Sequence, residues 1–228
     1  GILPHYLLPK EIFNYFMKNS TKNILDELVN RYPQLNSIKN DILNAYTVIE
    51  KAYEDGNKIL LCGNGGSASD SEHIVGELMK KFRKQRKIDA QIYKKLANYG
   101  NEGEKLRKTL EGSLRAVSLT SHMALNTAFS NDKEPSVAFA QQLYGQGDKG
   151  DVLISISTSG DSENCVLATT LAKAMEIKTI ALTGQKESRL SVLSDVAIRV
   201  PEVETYKIQE LHLPIYHCLC AMLEEELF

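Results

Sequence analysis

The chain has 228 residues, 43% of them hydrophobic and 25% charged, with a formal net charge of −2. That length suits one α/β domain with an added terminal segment, and the apolar share is enough for a sizeable core without pointing to disorder. The near-neutral balance excludes a global pull toward nucleic acid or an anionic membrane, so a small anionic substrate would have to be held by local dipoles and a few side chains.

Residues 9–31 and 35–55 read as two amphipathic helices, separated by Pro33 and stopped by Gly56-Asn57. The apolar run 58–63 then ends in a glycine-rich turn, as a buried parallel strand feeding a loop does. The same beat recurs. Residues 114–119 read as a strand, followed by helices near 121–130 and 135–145. A strand over 151–156 leads into the loop 157–160 and a helix over about 162–175. A strand over 178–183 precedes Gly184 and a short helix near 188–194. A strand over 195–200 ends at Pro201, and a last helix runs from about 205 to 226.

Five strands alternating with helices predict a parallel, doubly wound α/β sheet covered on both faces. The opening helices have no strand partner, so residues 1–56 are expected to pack on the core or on another subunit, with the main domain over 57–228. Residues 83–112 break the rhythm. They are polar and charged, with Arg83–Lys87 and Lys105–Lys108 as basic runs, and read as a solvated helical insertion.

No run approaches the roughly 18 apolar residues that a membrane span needs. The opening Gly1-Ile2-Leu3-Pro4 lacks the charged and apolar regions of a signal peptide. Cys62, Cys165, Cys218 and Cys220 form no C-x-x-C pair and read as buried, reduced thiols of a cytoplasmic protein.

In open parallel sheets, ligands bind beyond the carboxyl ends of the strands. Two loops there carry chemistry. In Gly63-Asn64-Gly65-Gly66-Ser67 small residues let the backbone approach a ligand, and the next helix, expected from Ser69 or Asp70, points its free N–H groups at it. In Ser157-Thr158-Ser159-Gly160-Asp161-Ser162, four hydroxyls meet another helix start, which suits a phosphate without a basic patch. Neither is a Walker loop, and neither is a clean G-x-G-x-x-G.

His73 and Glu77 are four apart and share a helix face, a spacing open to a metal pair, an acid/base pair or an ordinary surface pair. Gln209 and His217 are eight apart, about 80° and about 12 Å on a regular helix, so they reach one small ion only if the helix bends or the site lies alongside it. Pro214 inside that helix removes a hydrogen bond and favours a kink. His217 lies among apolar residues and could equally be a satisfied core histidine. His212 reads as a bystander, Glu72 as solvated, and His5 and His122 have no supporting context.

Taken in order, Gly63–Ser67, His73-x-x-x-Glu77, Asn131-Asp132, the 157–162 serine loop and Gln209-Glu-x-His212 with His217 resemble the sugar isomerase (SIS) domain family. Within it, they resemble the sedoheptulose 7-phosphate isomerases. The resemblance runs from about residue 10 to 228, apart from an insertion near 87–111. It implies a flavodoxin-like fold and a homotetramer with sites between subunits. It also implies one Zn²⁺ per subunit on His73, Glu77, Gln209 and His217, and aldose–ketose isomerisation through an enediol.

By the same resemblance, Glu77 is the base and His217 the acid. Asn131 and Asp132 bind sugar hydroxyls. Asn64, Gly65, Gly66, Ser67, Ser157, Thr158, Ser159, Ser162 and Gln209 hold the substrate chain and phosphate. Tight ligation of Glu77 and His217 would compete with their work as proton shuttles. The insertion and Pro214 depart from the family pattern and bear on which sugar is accepted. Three alternatives stay open: an isomerase of another sugar phosphate, a phosphosugar-sensing module, and a non-catalytic SIS protein that binds the replication initiator DnaA. That last family lacks equivalents of Glu77 and His217.

Overall fold

Strands β1 (Ile59–Gly63) and β3 (Val152–Ile156) are buried at every position, as their mostly apolar runs require. They are the centre of a five-stranded parallel sheet in the computed structural model, which describes residues 17–228. The other strands are β2 (Ala116–Ser118), β4 (Lys178–Thr183) and β5 (Val196–Arg199), in the order β2-β1-β3-β4-β5. The chain therefore leaves β1 toward one edge and returns beside it as β3. That reversal opens a crevice at the carboxyl ends of the two central strands. Cys62 pairs with Ser155 and Gly63 with Ile156, so the two chemically loaded loops start side by side.

Alternate residues of each strand face opposite layers. Ile59, Leu61, Ile154, Ile156, Ile180 and Leu182 pack with helices α1 (Asn19–Arg31), α2 (Lys39–Glu54), α3 (Gly66–Met79) and α10 (Thr205–Leu227). Leu60, Cys62, Leu153 and Ala181 face helices α7 (Ala138–Gln146), α8 (Glu163–Ala174) and α9 (Arg189–Leu193). The opening helices thus lie on the sheet's own core, through Leu25 and Leu28 of α1 and Ile42, Tyr46 and Ile49 of α2. The part of the first predicted helix over 9–16, like His5, lies outside the described residues. All four cysteines are buried and free. Among the described residues no helix is long and apolar enough to cross a membrane.

The insertion forms two short helices, α4 (Ala90–Leu96) and α5 (Gly100–Thr109), in which Gly103 is the only buried residue. One basic residue at its root corrects the solvated reading. Arg86 is wholly buried. Its Nε donates to Glu224 Oε1 at 2.7 Å, and its terminal nitrogens donate to the carbonyls of Leu78 (2.6 Å) and Glu77 (2.9 Å). Those carbonyls close α3 and need partners, which the guanidinium supplies. Glu224 also accepts from the amides of Phe82, Arg83 and Lys84. Burial works against its charge, but these donors and Arg86 win and hold its carboxyl below the ordinary range.

Candidate active site

Helix α3 begins at Gly66, earlier than the expected Ser69 or Asp70. Gly65 at its cap takes φ +56°, a left-handed turn that glycine adopts without strain, so the chain enters the helix at once. Ser67 N then bonds Asn64 O at 3.0 Å. Gly66 is bare because the Gln209 amide lies against it: a Cβ there would sit 2.8 Å from Gln209 Nε2. Across the sheet edge, Asn64 and Asn164 exchange two amide hydrogen bonds of 2.9 and 2.8 Å, tying the glycine loop to α8. Asn164 had no sequence signal beyond its place in the first turn of that helix.

The serine loop is knotted by its own hydroxyls. Ser157 Oγ lies 2.9 Å from Ser162 Oγ and 3.4 Å from Ser159 Oγ, and it accepts from Gly160 N at 3.1 Å. Gly160 has φ +73°, and a Cβ there would collide with Ser188. Beside Thr158 and Ser159 opens a cavity of about 310 Å³, reached also by Lys186 and Ile208.

Helix α10 runs unbroken from Thr205 to Leu227 with Pro214 inside it, so the proline neither ends nor divides it. It lies along α3, and their contacts advance in the same direction: Gln209 against Gly66, Tyr216 against Asp70, His217 against His73. His73 Nε2 is 3.4 Å from Glu77 Oε1 and 3.5 Å from His217 Nε2. His73 Nδ1 is 3.1 Å from the Tyr216 hydroxyl, which donates to Asp70 Oδ1 at 2.9 Å. The rings of His73, Tyr216 and His217 meet edge to face at 5.0–5.5 Å. Burial, then the neighbouring His73, lowers the His217 pKa, and burial raises that of Asp70. A cavity of about 430 Å³, lined by Phe82, Arg83, Arg31 and Glu27, opens onto His217.

Of the expected residues, His73, Glu77 and His217 come together within one chain, while Gln209 sits at the far end of the same helix pair. Asn131 and Asp132 close helix α6 (Met123–Asp132), are exposed, and bond each other at 2.9 Å. Among the described residues, no hydrogen bond or ion pair links them to the loops or the histidines. Glu72, expected to be solvated, is exposed but accepts from Thr120 Oγ1 at 2.9 Å. His212 is buried and structural, its Nε2 3.1 Å from Thr183 O. Tyr216 and Asp70 were not singled out as site residues. Their signal was the three-residue step from Asp70 to His73 on one helix face, and a phenol next to His217 in an otherwise apolar run.

A family model described as the SIS domain matches residues 24–99 and 109–184. Phosphoheptose isomerase 2 of Campylobacter jejuni is 39% identical over 82% of this chain and 81% of its own. The chain belongs to the phosphoheptose isomerases of the SIS family. It is an isomerase. The phosphoheptose isomerase of Akkermansia muciniphila is 32% identical over 93% of this chain and 99% of its own. The solved phosphoheptose isomerase of Francisella tularensis is 30% identical, with TM-score 0.68, over 94% of this chain and 97% of that one. The break in the family match, at 100–108, falls inside the helical insertion of this isomerase. None of these relatives points to a DnaA-binding or sensing role.

Proposed function

We propose that this isomerase converts sedoheptulose 7-phosphate into D-glycero-D-manno-heptose 7-phosphate by proton transfer through an enediol. The observation that carries the reading is the contact of Glu77 and His217 with one common neighbour, His73. Glu77 takes a proton from C1 of the ketose. His217 gives a proton to the carbonyl oxygen at C2 and takes one from the hydroxyl at C1, while Glu77 returns its proton to C2, which gives the aldose. An acid and a base on adjoining sugar positions are what a 1,2-shift needs.

The phosphate goes to the 157–162 loop, where hydroxyls and a helix start suit an anion. Asn64, Gly65, Gly66, Ser67 and Gln209 hold the chain between. Asn131 and Asp132 bind sugar hydroxyls. In a single chain Ser159 and His217 line different cavities. Enclosure of the whole sugar therefore fits a homotetramer with sites between subunits. The exposed Met123 and Leu125 at the start of α6, the helix that ends in Asn131 and Asp132, support burial by a partner. Four buried free thiols support a cytoplasmic setting.

Zinc belongs to the proposal. Among the described residues, no group of three or more His, Cys, Asp and Glu is close enough to hold a metal ion. Two donor spacings at the histidines nonetheless suit zinc. Tetrahedral Zn²⁺ with bonds of about 2.0–2.1 Å needs neighbouring donors about 3.3–3.4 Å apart, and the two edges at His73 Nε2 measure 3.4 and 3.5 Å. His73, Glu77 and His217 would hold it; Gln209, expected as the fourth ligand, lies apart from them against Gly66 in this chain. When bound, the ion would polarise the sugar oxygens. Incubation of purified protein with sedoheptulose 7-phosphate, followed by NMR, tests the reading. Appearance of the aldose supports it, and an unchanged ketose rejects it.

A further inference from the structure

We propose that Tyr216 and Asp70 are positioning residues that hold His73 in the tautomer protonated on Nδ1, so that its Nε2 lone pair faces Glu77 and His217. A phenol has one proton to give, and near neutral pH it keeps that proton. Here the proton goes to Asp70 Oδ1 at 2.9 Å, because a carboxylate is the strongest acceptor within reach. The hydroxyl oxygen can then only accept from its other neighbour. That neighbour is His73 Nδ1 at 3.1 Å, so Nδ1 must carry a hydrogen. The unprotonated Nε2 is left pointing into the pair of contacts with Glu77 Oε1 and His217 Nε2.

His73 stands edge-on to both Tyr216 (75°) and His217 (87°), so each of its nitrogens meets a different neighbour. Tyr216 and His217 are adjacent on α10, so one turn of helix sets both the partner of Nε2 and the partner of Nδ1. Tyr216 itself is almost fully buried and packs in the main core, so its hydroxyl has little freedom to turn elsewhere.

The proposal rests on reading His73 as part of the isomerase site, but its first test needs no substrate. Histidine labelled with ¹⁵N reports the tautomer of His73 in metal-stripped protein near pH 7.5. The wild type should carry its proton on Nδ1. Tyr216→Phe, which keeps the ring, should lose that preference. Asp70→Leu should invert it, because the phenol proton is then free to go to Nδ1. A wild-type His73 protonated on Nε2, or an unchanged tautomer in both variants, overturns the proposal.

A second readout is Zn²⁺ affinity, by competition with a chromophoric chelator. It should fall about 10–100-fold in Tyr216→Phe, as loss of an outer partner of a ligand histidine does. An unchanged affinity in a folded variant also overturns the proposal. If wild-type protein leaves sedoheptulose 7-phosphate untouched while the tautomer behaves as described, the substrate reading fails and this one stands.

Discussion

The Nε2 atoms of His73 and His217 lie 3.5 Å apart although 144 positions separate them in the chain. Two helices running side by side in the same direction bring them there. The glycine loop after β1 launches one helix over the sheet, and the other returns from β5 across the same face. The contact between the imidazoles is thus a consequence of the strand order, and the carboxylate of Glu77 joins it from one turn further along α3.

Glu77→Gln should abolish most turnover, with kcat falling by about two to four orders of magnitude, the usual reach of a general base. The side chain keeps its shape and lies off the main core, so the melting temperature should barely move. An assay of sedoheptulose 7-phosphate conversion beside a thermal melt checks both halves.

Arg86→Met should destabilise the protein by about 3–5 kcal/mol, because it strands Glu224 as a buried charge without its partner. It also removes a donor from the carbonyls of Glu77 and Leu78 at the end of the site helix, of which Leu78 keeps the bond from Leu114 N. Urea unfolding measures the loss. Adding Glu224→Leu should recover part of it, since the uncompensated charge is then gone.

Gly160→Ala should impair substrate binding more than chemistry. The position has φ +73°, and the new methyl group would meet Ser188, so the serine loop must shift or strain by about 1–3 kcal/mol. KM should rise well above its wild-type value while kcat changes less. Steady-state kinetics separate the two.

Acid should weaken the fold through His212. Burial depresses its pKa to about 4, its Nε2 bonds Thr183 O, and its Nδ1 is buried without a partner. The unfolded chain takes up a proton below about 6.5 that the folded one refuses until about 4. Stability contributed by the neutral ring is therefore complete above pH 6.5 and lost as pH falls toward 4, by roughly 3 kcal/mol. His212→Gln, which keeps a donor near Thr183 O but does not titrate, should flatten that part of the stability–pH curve.

Much of the fold was legible because parallel strands buried on both faces are dominated by apolar residues. Residues 178–183 read as a strand and form one with the same ends. The start of α3 was misjudged because Gly65 can turn the chain into the helix within one residue. The meeting of His73, Glu77 and His217 was expected from resemblance alone, since spacing along one helix carries no information about the other. Arg86 looked like surface in a basic run because its partner, Glu224, stands 138 positions away. Tyr216 and Asp70 were missed for the same reason: each is unremarkable in its own helix and acquires a role only where the two helices touch.

The most direct measurement is isomerisation of sedoheptulose 7-phosphate in D₂O, with NMR of the product, in the wild type and in Glu77→Gln. Proton transfer by Glu77 through an enediol predicts aldose carrying solvent deuterium at C2 from the wild type, with neither product nor exchange at C1 from the variant. Aldose formed by the variant at the wild-type rate, or undiminished C1 exchange without the carboxylate, would contradict it.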